Sequence, residues 1–360
     1  RIIDIVNNYS RISFNFGPTL LAWLEAHKPK VYSAILEADR ESLKRFSGHG
    51  SALAQVYNHI IMPLATTRDK RTEIRWGIED FRHRFGREPE GMWLSETAVD
   101  TSTLELLAEE RILFTILSPR QAGRTRKIGT PLWTDVVPGT LDTSMPYLCR
   151  LPSGRSIAIF FYDERMAQDV AFSSLLDNGE DFSRRMVQHF TGNGIESGLL
   201  TIASDGETYG HHHRFGDMAL SYALWLIEAR NPARITVFGE YLERFPPTHE
   251  VSIIDNTSWS CPHGIERWRS DCGCCTHGSV VKTATRLSRG RPGQENPVPV
   301  QQCEISWNQA WRTPLRGAMD WLRDTLVPIY VDRMNSYVTD PWQAWDAYIR
   351  IILNHSPESV

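Results

Sequence analysis

Two carboxylates stand at the ends of short apolar runs. Glu96 closes Gly91-Met92-Trp93-Leu94-Ser95-Glu96, and Asp205 closes Gly198-Leu199-Leu200-Thr201-Ile202-Ala203-Ser204-Asp205. Such runs predict buried parallel strands. In a barrel of parallel strands, reacting groups project from the strand C-termini into a shared cleft. Two acids converging there suit chemistry at a glycosidic bond. A carboxylate at a strand end can attack an anomeric carbon. Taken alone, Glu96 is equally well explained as a helix cap or a salt-bridging group.

The second acid sits in a denser context, Ser204-Asp205-Gly206-Glu207-Thr208-Tyr209-Gly210-His211-His212-His213. Two acids and three histidines after an apolar strand are hard to explain by packing. Asp205 suits a general acid/base, with Glu207 and His211 tuning its proton affinity and binding hydroxyls. The plainer alternative is a glycine-rich turn with solvated polar side chains. A metal site is a further reading, but three contiguous histidines lack the usual i, i+4 ligand spacing.

The elements that must position these groups alternate. Ile12–Phe16 reads as a strand, Thr19–Ala26 and Val31–Phe46 as helices, and Ser47–Ser51 as a loop. Asp69–Phe85 is an amphipathic helix ended by Gly86. Asp100 or Ser102 caps a helix running to Arg111. Leu113–Leu117 and Ser156–Tyr162 read as strands, Arg120–Lys127 as a basic loop, and Glu180–Phe190 and Phe215–Arg230 as helices. Alternation from about residue 12 to 240 predicts α/β architecture with a parallel sheet or barrel. Beyond it, residues 255–300 hold Cys, Gly, Pro and Trp with little periodicity, and residues 305–355 read as mostly helical.

The chain has 360 residues, 41% hydrophobic and 23% charged. That is enough for a large barrel with an appended region. A formal net charge of −4 does not point to nucleic acid as a partner. No apolar run is long enough to span a bilayer, so no membrane partner is expected. Arg1-Ile2-Ile3-Asp4-Ile5-Val6 lacks a signal-peptide pattern, which predicts a cytoplasmic location. The chain begins without Met and enters a structured-looking segment at once, as a fragment would.

Twelve tryptophans are many for this length. Most suit a large core. Trp93 beside Glu96, and Trp259 and Trp268 in the Cys-rich loop, suit stacking against the C–H faces of sugars. Four of the six cysteines, Cys261, Cys272, Cys274 and Cys275, fall within fifteen residues. With His263 or His277 they could hold a structural zinc, although the spacing of the whole cluster is not that of a standard zinc motif. A redox disulfide and free structural thiols are the alternatives. Clustering this dense predicts at least two of the sulfurs at bonding or shared-ligand distance.

The Glu96 and Asp205 segments resemble glycoside hydrolase family 57, which holds α-amylases, 4-α-glucanotransferases and α-glucan branching enzymes. Trp93-Leu94-Ser95-Glu96 matches the family's nucleophile strand end. Asp205-Gly206-Glu207-Thr208-Tyr209-Gly210-His211 matches its acid/base strand end. Gln55-Val56-Tyr57-Asn58-His59-Ile60-Ile61-Met62-Pro63-Leu64 resembles its second, His-containing region. The resemblance covers roughly residues 10–230, and the Cys-rich wording resembles a subgroup with a C-terminal domain of unknown function. It implies Glu96 as nucleophile and Asp205 as acid/base of a retaining α-glucan-active hydrolase or transferase that needs no cofactor and takes an oligo- or polysaccharide. It further implies substrate contacts from His59, Trp93, Glu207, His211, Trp259, His263, Arg267 and Trp268.

The family fold is an incomplete (β/α)7 barrel that opens on a strand ending in a His-x-His-type motif. No such motif precedes Ile12, so a barrel truncated at the N-terminus, with its first strand missing, is expected. The expected organisation is a barrel over 1–245, a Cys/Trp-rich loop region over the barrel mouth at 246–300, and an incomplete helical region at 301–360. A metal-dependent carbohydrate deacetylase on a related barrel is the rival enzyme, marked by a metal at His211 or His213. A non-catalytic carbohydrate-binding protein is the rival outside enzymology.

Overall fold

The computed structural model describes residues 6–191, 198–274 and 308–354. The chain divides into two compact units. One comprises the residues up to Ser260 together with those from Trp342 onward, and the other runs from Cys261 to Pro341.

The first unit opens with α1 (Pro18–His27) and α2 (Pro29–Arg45), each with proline in its first turn, where the missing N–H costs nothing. After β1 (Ala54–Gln55) comes α3 (Thr67–Phe85). The Thr66 side chain accepts from the Asp69 N–H, and Gly86 ends the helix at φ 68°. β2 (Met92–Trp93) leads to α4 (Thr101–Glu109), capped by the Asp100 carboxylate, which accepts from the Thr103 N–H. β3 (Phe114–Leu117), β4 (Ala122–Lys127), β5 (Thr134–Asp135), β6 (Tyr147–Arg150) and β7 (Ser156–Phe161) follow. Then come α5 (Glu164–Phe172), α6 (Gly179–Thr191), α7 (Gly216–Arg230), α8 (Phe238–Arg244) and β8 (His249–Ile253).

The parallel neighbours run in chain order. Phe14 bridges Ala52, β1 pairs with β2, Gly91 bridges Phe114, and β3 pairs with β7. Helices intervene along this row as far as β3, whereas β4, β5 and β6 lie between β3 and β7, so the row keeps a sequential β/α order up to β3. Its strands are shorter than the apolar runs predict. Ile12–Phe16 yields one bridge, and Gly91–Glu96 yields a two-residue strand followed by a turn. The Gly198–Asp205 run is extended but is not a strand. A ladder needs a continuous partner. This run is tied instead by single bonds, from the Leu199 N–H to Ser144 O near its start and from the Asp163 N–H to Thr201 O at its middle, both 2.8 Å.

The stretch expected as a basic loop is β4, inside an antiparallel extension. The second sheet runs in the order β3-β7-β6-β8-β4-β5. Arg126 crosses to the buried Glu250 of β8 at 2.5 Å, and Arg150 of β6 reaches the same carboxylate. Arg124 and Arg126 both lie over the Trp133 ring. The charges that suggested a loop are thus satisfied across strands and by an aromatic face.

The remaining helices are α9 (Glu266–Arg269), α10 (Arg312–Met334), α11 (Pro341–Ala347) and α12 (Ile349–Leu353). The expected boundaries at 245 and 300 do not coincide with the divisions at Ser260 and Pro341. β8 pairs into the first unit's sheet, and the end of the helical region packs on α3. There the Asp346 carboxylate accepts from Thr72 at 2.8 Å and Arg75 at 2.6 Å, and the Trp345 ring stacks on Trp76.

Close approach of α3 to β1 depends on Gly77. A Cβ there would sit 2.1 Å from the Gln55 carbonyl oxygen. Gly77→Ala is expected to destabilise the fold by about 1–3 kcal/mol through overpacking. Urea unfolding followed by circular dichroism reads this as a lower midpoint. An unchanged midpoint would mean that α3 does not bear on β1 as described.

Candidate active site

After β2 the chain makes one tight turn over Ser95–Thr97. Glu96 (φ 57°) and Thr97 (φ 51°) both take the left-handed conformation, which costs non-glycine residues energy and persists only where surroundings enforce it. Gln121 enforces it. This fully buried amide accepts from the Thr97 hydroxyl (2.9 Å) and the Ser118 N–H (2.8 Å), and donates to Thr97 O (2.8 Å). It also donates to the Thr257 hydroxyl at 3.3 Å. From the other side, the Trp259 N–H donates to Glu96 O at 3.1 Å and to the Thr97 hydroxyl at 3.0 Å.

The same tryptophan reaches the carboxylate. Trp259 Nε1 donates to Glu96 Oε2 at 3.0 Å. Its ring is held edge-on by Trp93, with centroids 5.2 Å apart, and by Tyr162 at 6.0 Å. One Glu96 oxygen is therefore fixed by a donor that carries no charge and exchanges no proton at ordinary pH.

Asp205 follows the Gly198–Ser204 segment and precedes the short turn Gly206–Thr208. Its carboxyl is pushed above the ordinary aspartate range, first by desolvation and then by the negative charges of Glu207 and Glu96. His212 and His59 pull in the opposite direction. Asp205 thus shares one electrostatic neighbourhood with Glu96, Glu207, His59 and His212. It keeps substantial contact with solvent, so water screens part of the effect.

His59 is placed by a loop with a buried anchor. Glu73 of α3 accepts from the Asn58 backbone N–H and from its side-chain amide, both at 2.8 Å. The Tyr57 N–H returns to Glu73 O at 3.2 Å, and His59 itself has φ 54°. Burial raises the Glu73 carboxyl, and the two Asn58 bonds work against that rise.

The structure brings Glu96, Asp205, Glu207, His59, Trp93 and Trp259 together within the first unit. Among the charges that act on Asp205 are those of His212 and His59. His211 and His212 are both exposed, with rings 4.9 Å apart. His213 is engaged elsewhere, its Nε2 donating to Ala171 O at 3.0 Å. His263, Arg267 and Trp268 belong to the second unit, with Cys261, Cys272 and Cys274. Cys275 and His277 lie outside the described residues. Among the described residues, the histidine, cysteine and acidic side chains that group closely enough to hold a metal are Cys261, His263, Cys272 and Cys274, not those around Asp205. A cavity of about 340 Å³ beside Arg45, Glu228 and Arg234 includes none of the expected site residues.

Sequence reading missed Gln121, Thr97 and Glu73. Their signal is a polar residue at a position that the helix or strand pattern assigns to the interior, which is visible only once the fold fixes what is interior.

Comparison with known proteins agrees with this architecture. The profile described as glycosyl hydrolase family 57 matches residues 7–254, and a domain of unknown function (DUF3536) matches 307–360. Alpha-amylase 1 of Dictyoglomus thermophilum is 26% identical over 107 residues, which is 29% of this chain and 15% of that protein. An exo-type maltose-forming amylase from Pyrococcus sp. ST04 superposes with a TM-score of 0.66 at 17% identity, covering 95% of this chain and 55% of the other. A 4-alpha-glucanotransferase from Thermococcus litoralis gives 0.53 at 18% identity, covering 74% and 37%. The chain thus spans about half or less of the length of these relatives.

Gln121→Leu removes four hydrogen bonds, two of them to Thr97 in the Glu96 turn. It leaves buried groups of Thr97 and Ser118 unsatisfied, at about 1–3 kcal/mol each. A thermal-unfolding midpoint several degrees lower is the expected result, and an unchanged midpoint would show that the turn does not rely on this amide.

Proposed function

The chain belongs to glycoside hydrolase family 57, and from that premise we propose that it is a retaining enzyme acting on α-glucans, with Glu96 as nucleophile and Asp205 as acid/base. The observation that carries this reading is the contrast between the two carboxyls. Asp205 is biased towards its protonated form by desolvation, Glu207 and Glu96. Glu96 has one carboxyl oxygen positioned by the Trp259 indole N–H at 3.0 Å. A proton-biased acid beside a positioned carboxyl suits the division into proton donor and nucleophile.

In the first step, a Glu96 oxygen attacks the anomeric carbon while Asp205 gives its proton to the departing glycosidic oxygen. A glycosyl-enzyme ester results. In the second step, Asp205 takes a proton from water or an acceptor hydroxyl, whose oxygen displaces Glu96. Trp259 holds the carboxylate in a fixed rotamer throughout. His59, Glu207 and His212, all exposed beside Asp205, suit contacts with sugar hydroxyls. The part-buried Trp93 and Trp259 rings offer an apolar wall. The family and the amylase named among its relatives support an α-linked oligo- or polysaccharide as substrate.

Glu96→Gln is expected to abolish turnover of an α-glucan with the fold intact, because the amide keeps the shape but is not a nucleophile. Asp205→Asn is expected to cost about 10²–10⁴-fold, and less on substrates whose leaving groups need no proton. Rates on a glucan and on an activated aryl glucoside separate the two effects. Near-normal rates for Glu96→Gln would end this assignment.

The pH profile carries a signed expectation. Glycosylation needs Asp205 protonated, so kcat/KM should fall as pH rises through its pKa. Glu207 is the largest charge raising that pKa. Glu207→Gln should therefore move the alkaline limb to lower pH, and His212→Ala should move it higher. Limbs that stay in place in both variants would mean that another group supplies the proton.

A further inference from the structure

Within the second unit, four side chains converge without any role in the chemistry above. Cys261 Sγ lies 3.6 Å from Cys274 Sγ and 3.9 Å from Cys272 Sγ. His263 Nδ1 lies 3.2 Å from Cys274 Sγ and 3.8 Å from Cys261 Sγ. All four ligand atoms fall within 4.8 Å of one another. A disulfide needs sulfurs at about 2.05 Å, and the three cysteines are free thiols. Tetrahedral zinc with Zn–S of about 2.3 Å and Zn–N of about 2.0–2.1 Å sets S···S edges near 3.8 Å and S···N edges near 3.6 Å. The observed separations bracket those edges.

The backbone is shaped for this convergence. Cys261-Pro262-His263-Gly264 closes a turn, with the Gly264 N–H on Cys261 O at 2.9 Å and Gly264 at φ 60°. Cys272 and Cys274 flank Gly273, which takes φ 74°, and the Gly273 N–H is held by Asp271 Oδ1 at 3.2 Å. Two short glycine-hinged turns thus present two ligands each. The unit also needs a staple. Among its described residues only Cys261, Gly264, Ile265, Gln309 and Pro341 are buried, and the 23 residues of α10 include none. Small cores of this kind are commonly completed by disulfides or structural metals.

We propose that Cys261, His263, Cys272 and Cys274 form a closed Cys₃His structural zinc site that orders the segment from Cys261 to Cys274. Three soft thiolates and one imidazole in tetrahedral reach select zinc over hard cations, which prefer oxygen ligands. With four protein ligands, no position is left for a substrate or water. On binding, each thiol releases its proton to solvent and the imidazole binds as the neutral ring.

The test uses the whole chain purified without chelator. Elemental analysis should find equimolar zinc, and exchange into cobalt(II) should give the intense visible bands of tetrahedral thiolate coordination. The double variant Cys272→Ser/Cys274→Ser should lose both, Cys149→Ser should keep both, and His263→Cys should keep zinc as a four-thiolate site. Zinc removal should lower the unfolding midpoint of the parent protein and not that of the double variant. Substoichiometric zinc after refolding with added metal would overturn the proposal. So would full zinc retention in the double variant, or a Cys261–Cys272 or Cys261–Cys274 disulfide found by non-reducing peptide mapping.

Discussion

One buried amide fastens together the two stretches of chain that meet at Glu96. Gln121 spends its carbonyl on Thr97 and Ser118 and its amide on Thr97 and Thr257. Those bonds, together with the Trp259 N–H on Glu96 O, offset the left-handed backbone of Glu96 and Thr97, each a cost of about 1–3 kcal/mol. Left-handed residues turn the chain sharply off β2 and swing Glu96 towards Trp259. The Val99–Thr257 bridge then carries the Trp259 segment back beside the turn. Backbone strain, a polar group in the core and an indole aimed at a carboxylate are thus three parts of one arrangement.

The opposing acid is controlled differently. Among the described residues nothing clamps the Asp205 carboxyl as Trp259 clamps Glu96, and its turn carries no side-chain cap. Its environment acts through charge, with Glu207 and Glu96 raising its proton affinity and His212 and His59 moderating it. A positioned Glu96 beside an Asp205 tuned by its neighbours is what the proposed two-step chemistry would use, since in it Asp205 must both give and take a proton.

Much of this was legible from the sequence where local rules decide. The Gly86 stop of α3 and the Asp100 cap of α4 put both helices within two residues of expectation. The pairing of Glu96 with Asp205 was legible only as two apolar runs ending in acids. Strand lengths were not legible, because a run such as Leu199–Ser204 becomes a strand only if a neighbour supplies a ladder. β4 was hidden because Arg124, Arg126 and Lys127 look solvated until Glu250 and Trp133 come across from elsewhere in the chain. Gln121 and Glu73 escaped for the same reason: their importance lies in distant partners.

Trapping the covalent intermediate bears most directly on Glu96 as the nucleophile. The protein would be incubated with an activated 5-fluoro-α-glucosyl fluoride, which forms glycosyl-enzymes quickly and releases them slowly. It would then be digested and mapped by mass spectrometry. The account predicts a hexosyl adduct on the peptide carrying Glu96, lost in Glu96→Gln. An adduct on another carboxylate, or turnover of the probe with Glu96 unmodified and dispensable, would contradict it.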